Sequence, residues 1–185
     1  MSQELHATRE ELERRLAWVI ESPEDEGTLR TIAVRPAENL RQRLTRCDVS
    51  PERGVDGDNW AADCSLKLAN GQSDPDVQIT MINSRLISLL ASGELRQILA
   101  GDQLYVDLDL GERNLPAGQR LQIGTAVFEI TAEPHTGCRK FSERFGSEAL
   151  RFINSPEGRQ LRLRGVYAKV VTGGSISVGD VIRKA

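Results

Sequence analysis

The sequence lacks a long hydrophobic run, has only two histidines and carries no excess of positive charge; each absence removes a class of protein. No stretch of about 18 apolar residues occurs, so no membrane span is expected. Lys and Arg total 24 against 27 Asp and Glu, for a formal net charge of −3. That acidic balance argues against binding nucleic acid as a polymer through broad phosphate neutralisation, while leaving room for a local basic pocket that takes a small anion. The three cysteines, Cys47, Cys64 and Cys138, show no CxxC spacing and the histidines no HxxxH spacing, which argues against a zinc site. Odd in number and widely spaced, the cysteines read as free thiols of a reducing compartment. The opening MSQELHATREELERR is charged throughout and lacks the apolar centre of a signal peptide, so the expected location is cytoplasmic. There is no internal repeat and no low-complexity segment.

What is present fits one globular domain with a real core: 185 residues, 39% hydrophobic and 28% charged. Leu5, Leu12, Leu16 and Val19 recur at helical spacing, with Glu10–Arg14 and Glu11–Arg15 as i,i+4 pairs on the other face. Ser22-Pro23 and the acidic run 24–26 end this helix. It reads as an extension over residues 1–27, leading into a main domain over 28–185. The acidic run reads as a solvated hinge.

From Leu29 the period shortens. Strands are expected over 29–36, 44–49 and 77–82, with a Gly- and acid-rich loop over 51–61. Asn83 is a candidate cap for a helical stretch over 84–100, broken at Ser92-Gly93. Residues 104–110 alternate, with Leu104, Val106, Leu108 and Leu110 on one face and Tyr105, Asp107 and Asp109 on the other. Strands 120–123 and 126–131 form a hairpin about Gly124-Thr125. Two short helices divided by Gly146 are expected over 141–153, with Phe141 and Phe145 packed in the core. Strands over 161–171 and 175–184 follow, joined at Thr172-Gly173-Gly174. Many short strands without βα alternation predict a mainly β fold, a barrel with peripheral short helices.

Pro134-His135-Thr136-Gly137-Cys138-Arg139-Lys140 is the most informative stretch. It joins a strand to a helix, a turn that exposes a side chain and aims backbone N–H groups at it. Arg139 and Lys140 follow Cys138, and His135 precedes it by three residues. Cationic neighbours favour the thiolate, which is the nucleophile and the metal ligand. Gly137 lets the backbone approach a ligand closely. The plainer reading, a small buried thiol in a turn, stays open. Cys47 lies in a strand pattern and reads as core, and Cys64 has no such surroundings.

The order NLPAGQRLQIGTAVFEITAEPHTGCRKF, an aromatic helix, then RLRGVYAKVVTGGSISVGDVI resembles the MOSC domain, the module also found at the C-terminus of molybdenum-cofactor sulfurases. IAVRPAENLR and GVDGDNW resemble the family's opening strand and Gly-Asp loop, so the resemblance spans about residues 28–184. It implies a β-barrel related to the pyruvate-kinase barrel domain. It implies that Cys138 carries sulfur as a persulfide or ligates molybdenum; His135 itself reads as a proton donor or a cap on the thiolate. It implies a molybdenum cofactor, molybdopterin, whose phosphate and ring need guanidinium, ammonium and amide groups. Arg139, Lys140, Arg113, Asn114, Asp58, Asn59 and Lys169 are the candidates. Arg113-Asn114 resembles an Arg-Asn pair that the family places near its cofactor; a solvated turn is the competing reading. Asp56 reads as a turn former, and Trp60 as packing beneath its loop. Pyridoxal phosphate is not expected in this chain alone. Many relatives carry Pro directly before the cysteine where this chain has Gly137, so no particular reaction transfers with the resemblance.

Two functions fit: an oxidoreductase or sulfur-transfer protein working through Cys138, with N-hydroxylated small molecules as one substrate class, or a non-catalytic carrier of cofactor or sulfur. A cofactor-free thiol sensor is a third. Electrons or sulfur would come from a separate donor protein, since no flavin, haem or iron–sulfur signature is present. Sequence leaves the oligomeric state open.

Overall fold

The computed structural model describes residues 6–185; Leu5, assigned above to the first helix, lies outside them. Helix α1 runs Arg9–Ile20 and opens on a capping box, in which Thr8 accepts from the Glu11 amide and the Glu11 carboxylate accepts from the Thr8 amide. It buries Leu12, Leu16 and Val19. The strands follow as β1 (Gly27–Val34), β2 (Gln42–Leu44), β3 (Arg46–Ser50) and β4 (Gly54–Val55). After the short helix α2 (Trp60–Asp63) come β5 (Ile79–Asn83), α3 (Ser84–Leu90), α4 (Glu94–Gln97) and β6 (Leu104–Asp107). The second half comprises β7 (Arg120–Ile123), β8 (Ala126–Ile130), α5 (Arg139–Phe145), α6 (Ser147–Ile153), α7 (Pro156–Gln160), β9 (Val166–Thr172), β10 (Gly174–Ser177) and β11 (Val181–Lys184).

Strand order β11-β7-β8-β9-β5-β6-β1 closes on itself, because β11 also pairs with β1 at Gly27↔Ile182 and Thr28↔Val181. The result is a seven-strand barrel, antiparallel except at β5–β6. Strand β2 extends it beyond β1, and β10-β3-β4 forms a separate small sheet. The expected mainly β barrel with peripheral helices is therefore present. Closure removes the unpaired edges that an open sheet would expose.

Two apolar clusters flank the barrel wall. Leu104, Val106, Leu108 and Leu110, the face read from the alternation, point into the barrel with Leu29, Ile79, Met81, Phe128 and Ile182. Tyr105 faces the other way, into a layer built by α1, α3, α5 and α6 with Leu12, Leu86, Phe141 and Phe145. Helix α1 thus shares the domain's second core, and β1 opens at Gly27, one residue before the expected boundary. Asn83 caps α3 through the amides of Arg85 and Leu86. Gly146 separates α5 from α6, and Phe141 and Phe145 are buried as expected.

Three expectations change. Residues 44–49 are not one strand: β2 pairs with β1 while β3 joins the other sheet, so the chain changes sheets at Thr45. Residues 161–165 are a turn, with Arg162 at φ 47° and Gly165 at φ 106°. A Cβ on Gly165 would lie 2.2 Å from the Met81 carbonyl oxygen, so only glycine lets the chain cross β5 there. Residues 175–184 divide at Gly179-Asp180, where the Asp180 carboxylate accepts from the Ser177 amide. Helix α7 was not expected; Pro156 at its first turn and the Ser155 hydroxyl on the Gly158 amide start it.

A candidate cofactor cavity beside the cysteine loop

Residues from the end of β1, the 37–41 loop, the 59–66 segment, the 135–140 loop and the start of β9 enclose a cavity of about 340 Å³. Arg35, immediately after β1, is fixed from below. Its Nε and Nη2 donate to the two oxygens of Asp58 at 3.0 and 2.8 Å, and its backbone amide donates to the same carboxylate. Asp58 also accepts from the Trp60 amide and is fully buried. Burial alone would push the Arg35 guanidinium down, but the hydrogen bonds and charge of Asp58 more than offset it. Asp58 is therefore committed to holding Arg35 and the 58–60 turn.

Arg164, on the turn before β9, is anchored similarly. Its Nη1 lies 2.9 Å from both Asp102 oxygens, and its Nη2 donates to the Ala100 carbonyl. Complete burial raises the Asp102 carboxyl, against the pull of Arg164. His135 packs against Tyr167 with ring centres 4.4 Å apart and the rings tilted by 38°. Burial first, then the charges of Arg164 and Arg35, hold the imidazole well below its ordinary pKa, so it is neutral. Its Nδ1 is 3.8 Å from Asp102 Oδ1, too far for a hydrogen bond.

Four buried side-chain nitrogens have no partner among the described residues: Arg41 Nε, Trp60 Nε1, His135 Nδ1 and Arg164 Nε. All four residues line this one cavity. Each orphaned buried polar group costs about 1–3 kcal/mol, and native proteins keep such groups where a ligand or water meets them. Arg41 has no carboxylate within 4 Å among the described residues; its Nη1 donates to the adjacent Leu40 carbonyl. Burial, then the like charges of Arg144 and Arg35, lower its pKa.

Cys138 is exposed and forms the N-cap of α5. His135 and Lys140, on either side of it in sequence, both line the cavity. The loop is clasped by Asn154, whose side-chain oxygen accepts from the Gly137 amide at 3.1 Å while its nitrogen donates to the Gly137 carbonyl. A Cβ on Gly137 would come within 2.7 Å of Leu150 and Ile153 on α6, so the loop presses closely on that helix. Cys47, by contrast, is buried in the barrel cluster, and burial pushes its thiol up to about 12.

Of the residues singled out from sequence, His135, Lys140 and Asn59 line the cavity, Cys138 lies on the adjoining loop, and Asp58 lies beneath. Arg139 is highly exposed and pairs with Glu143, and Lys140 approaches Glu38 at 3.7 Å. Arg113 and Asn114 line a different cavity with Glu24, Asp109 and Lys184. There Asn114 donates to the Glu24 and Asp109 carbonyls and accepts from Lys184, which occupies its amide structurally. Lys169 pairs with Asp76 and Glu129. Trp60 is buried as expected, yet its indole N–H faces no protein acceptor. Arg35, Arg41, Cys64, Arg164 and Tyr167 complete the cavity and were not singled out. All of these but Cys64 lay inside stretches already quoted for the family resemblance.

The barrel is similar to solved structures. The YuaD protein from Bacillus subtilis superposes with a TM-score of 0.63 at 17% identity, covering 84% of this chain and 93% of that one. YiiM from Escherichia coli gives 0.53 at 15% identity, over 87% and 69% of the two chains. YiiM from Geobacillus stearothermophilus gives 0.54 at 14%, over 86% and 75%. These likenesses define the fold. Comparison with curated proteins gave no match. The MOSC domain matches residues 77–183, more than half of the chain, and the chain belongs to that family, which is associated with molybdenum cofactor binding.

Proposed function

We propose that the cavity holds a molybdenum cofactor and that Cys138 supplies the sulfur that ligates its metal or carries sulfur for transfer. One observation supports this above others: Arg41, Trp60, His135 and Arg164, each with a buried nitrogen unpartnered among the described residues, line one cavity. A phosphorylated pterin is rich in acceptors and anionic, which is the complement of that donor set. Arg41 and Arg164 would take phosphate oxygens, Trp60 would donate its N–H to a ring acceptor, and Lys140 and Asn59 would close the rim. His135, kept neutral, offers one donor and one acceptor without adding charge. Asp58 and Asp102 contribute indirectly, by fixing Arg35 and Arg164. When bound, the cofactor supplies a metal centre for oxygen-atom or sulfur chemistry. The exposure of Cys138 leaves it open to a separate electron or sulfur donor protein.

The test is elemental analysis for molybdenum on anaerobically purified protein, beside Cys138→Ser and Arg41→Leu variants. Molybdenum in the wild type, with loss in both variants, is the expected result. Neither metal nor persulfide in the wild type overturns the proposal. Reduction of an N-hydroxylated base with an added electron donor then separates turnover from carriage.

A further inference from the structure

Behind the cofactor cavity lies a second, smaller one of about 220 Å³, enclosed by the 131–136 loop, α7 and the turn that follows it. His135 and Arg164 line both, so these two side chains are the shared wall. Its charges are sorted by depth. Arg164 is buried and Arg162 half-buried, whereas Glu112 and Glu133 are exposed at the rim. Charge in the depth is screened least and counts most.

Arg162 carries the strongest signal. It is a non-glycine residue at φ 47°, a conformation that costs energy and persists where its surroundings impose it. Its Nη1 donates to the Leu115 carbonyl, and no carboxylate lies within 4 Å of it among the described residues. Burial lowers its pKa, with Glu112 opposing. Arg159, one turn earlier, is exposed at the mouth and makes no side-chain hydrogen bond or ion pair among the described residues. Arg164, which lines both cavities, has an Nε with no partner among the described residues.

We infer that this second cavity is a binding site for a small oxoanion of the sulfate or phosphate class, held by Arg159, Arg162 and Arg164. The volume suits a compact anion. Arg164 Nε carries a single hydrogen, so an anion here and a ligand in the cofactor cavity compete for it. Occupancy of each site therefore weakens the other, and by linkage the two effects are equal. The site itself does not depend on the cofactor reading.

Calorimetric titration of the purified protein with sulfate, and separately with phosphate, at constant ionic strength against chloride tests this. One saturable site is expected, weakened about tenfold or more in Arg159→Ala and in Arg162→Ala, roughly the loss of one charge-assisted hydrogen bond. Arg159 is exposed and has no side-chain partner to lose among the described residues, so its variant stays folded even if Arg162→Ala does not. Arg113→Ala, in a separate cavity, should change the affinity less than about twofold. Absence of saturable binding overturns the inference. So does binding that survives Arg159→Ala but is lost in Arg41→Leu, which would assign the anion to the cofactor cavity and leave that reading intact.

Discussion

Two buried polar regions lie within a few residues of each other and behave oppositely. Around Asp58, each carboxylate oxygen is taken by Arg35, by the amides of Arg35 and Trp60 or by Gln103, and Gln103 in turn ties Thr80 to Gln78. Among the residues that line the cavity, Arg41, Trp60, His135 and Arg164 each hold a nitrogen with no partner among the described residues. The same burial thus produces a saturated network in one place and an unsaturated one in the other. A saturated network stabilises the unliganded fold; an unsaturated one stores binding capacity at the expense of that fold.

The contrast can be broken most severely at Asp58. Asp58→Ala leaves the Arg35 guanidinium without its carboxylate and strands the Trp60 amide, and should cost about 3–5 kcal/mol in urea unfolding. A loss below about 1 kcal/mol would deny the network its structural role.

His135 gives the next largest effect, and it depends on pH. The folded-state pKa is depressed, so below about 6.5 the unfolded chain binds a proton that the folded one refuses. The stabilisation is fully present above that pH and is lost as pH falls toward the folded pKa. Unfolding free energies between pH 7 and 5 should fall more steeply in wild type than in His135→Gln, by up to about 1.4 kcal/mol per pH unit. Parallel profiles would show that the imidazole titrates normally.

Trp60→Phe sharpens the comparison from the other side. It removes an N–H that has no partner, so unliganded stability should move by less than about 1 kcal/mol, while molybdenum retained after dialysis falls. The smallest stability effect is expected at exposed Cys138. Cys138→Ser should change unfolding by less than about 0.5 kcal/mol yet remove the fastest phase of alkylation, leaving the slower reaction of half-buried Cys64 while buried Cys47 stays protected.

The barrel was legible because its strands alternate or run apolar as their faces demand; the 104–110 stretch shows both faces at once. Thr45 was not legible as a change of sheet, since nothing local distinguishes a strand that continues from one that leaves. The Arg162–Gly165 turn was read as strand because LRLRGVY alternates, and only the crossing over Met81 shows why it cannot extend. The cysteine loop announced itself by local chemistry. Arg41, Cys64 and Tyr167 did not, because only the closed barrel brings them to His135. Asp58 was noticed for its neighbours but performs a scaffold task that needs Arg35 across 23 positions of sequence.

Barrel closure joins the two ends of the domain: Gly27 pairs with Ile182, 155 positions away (182 − 27), and Thr28 with Val181, and Leu29 exchanges backbone hydrogen bonds with Gly179 and Asp180. Pairing so distant in sequence is entropically slow to form. Until β11 arrives, β1 and β7 each present an open edge that another chain can extend. The folding time of the protein, and its tendency to self-associate while folding, are therefore set by its last strand more than by the rest of its core.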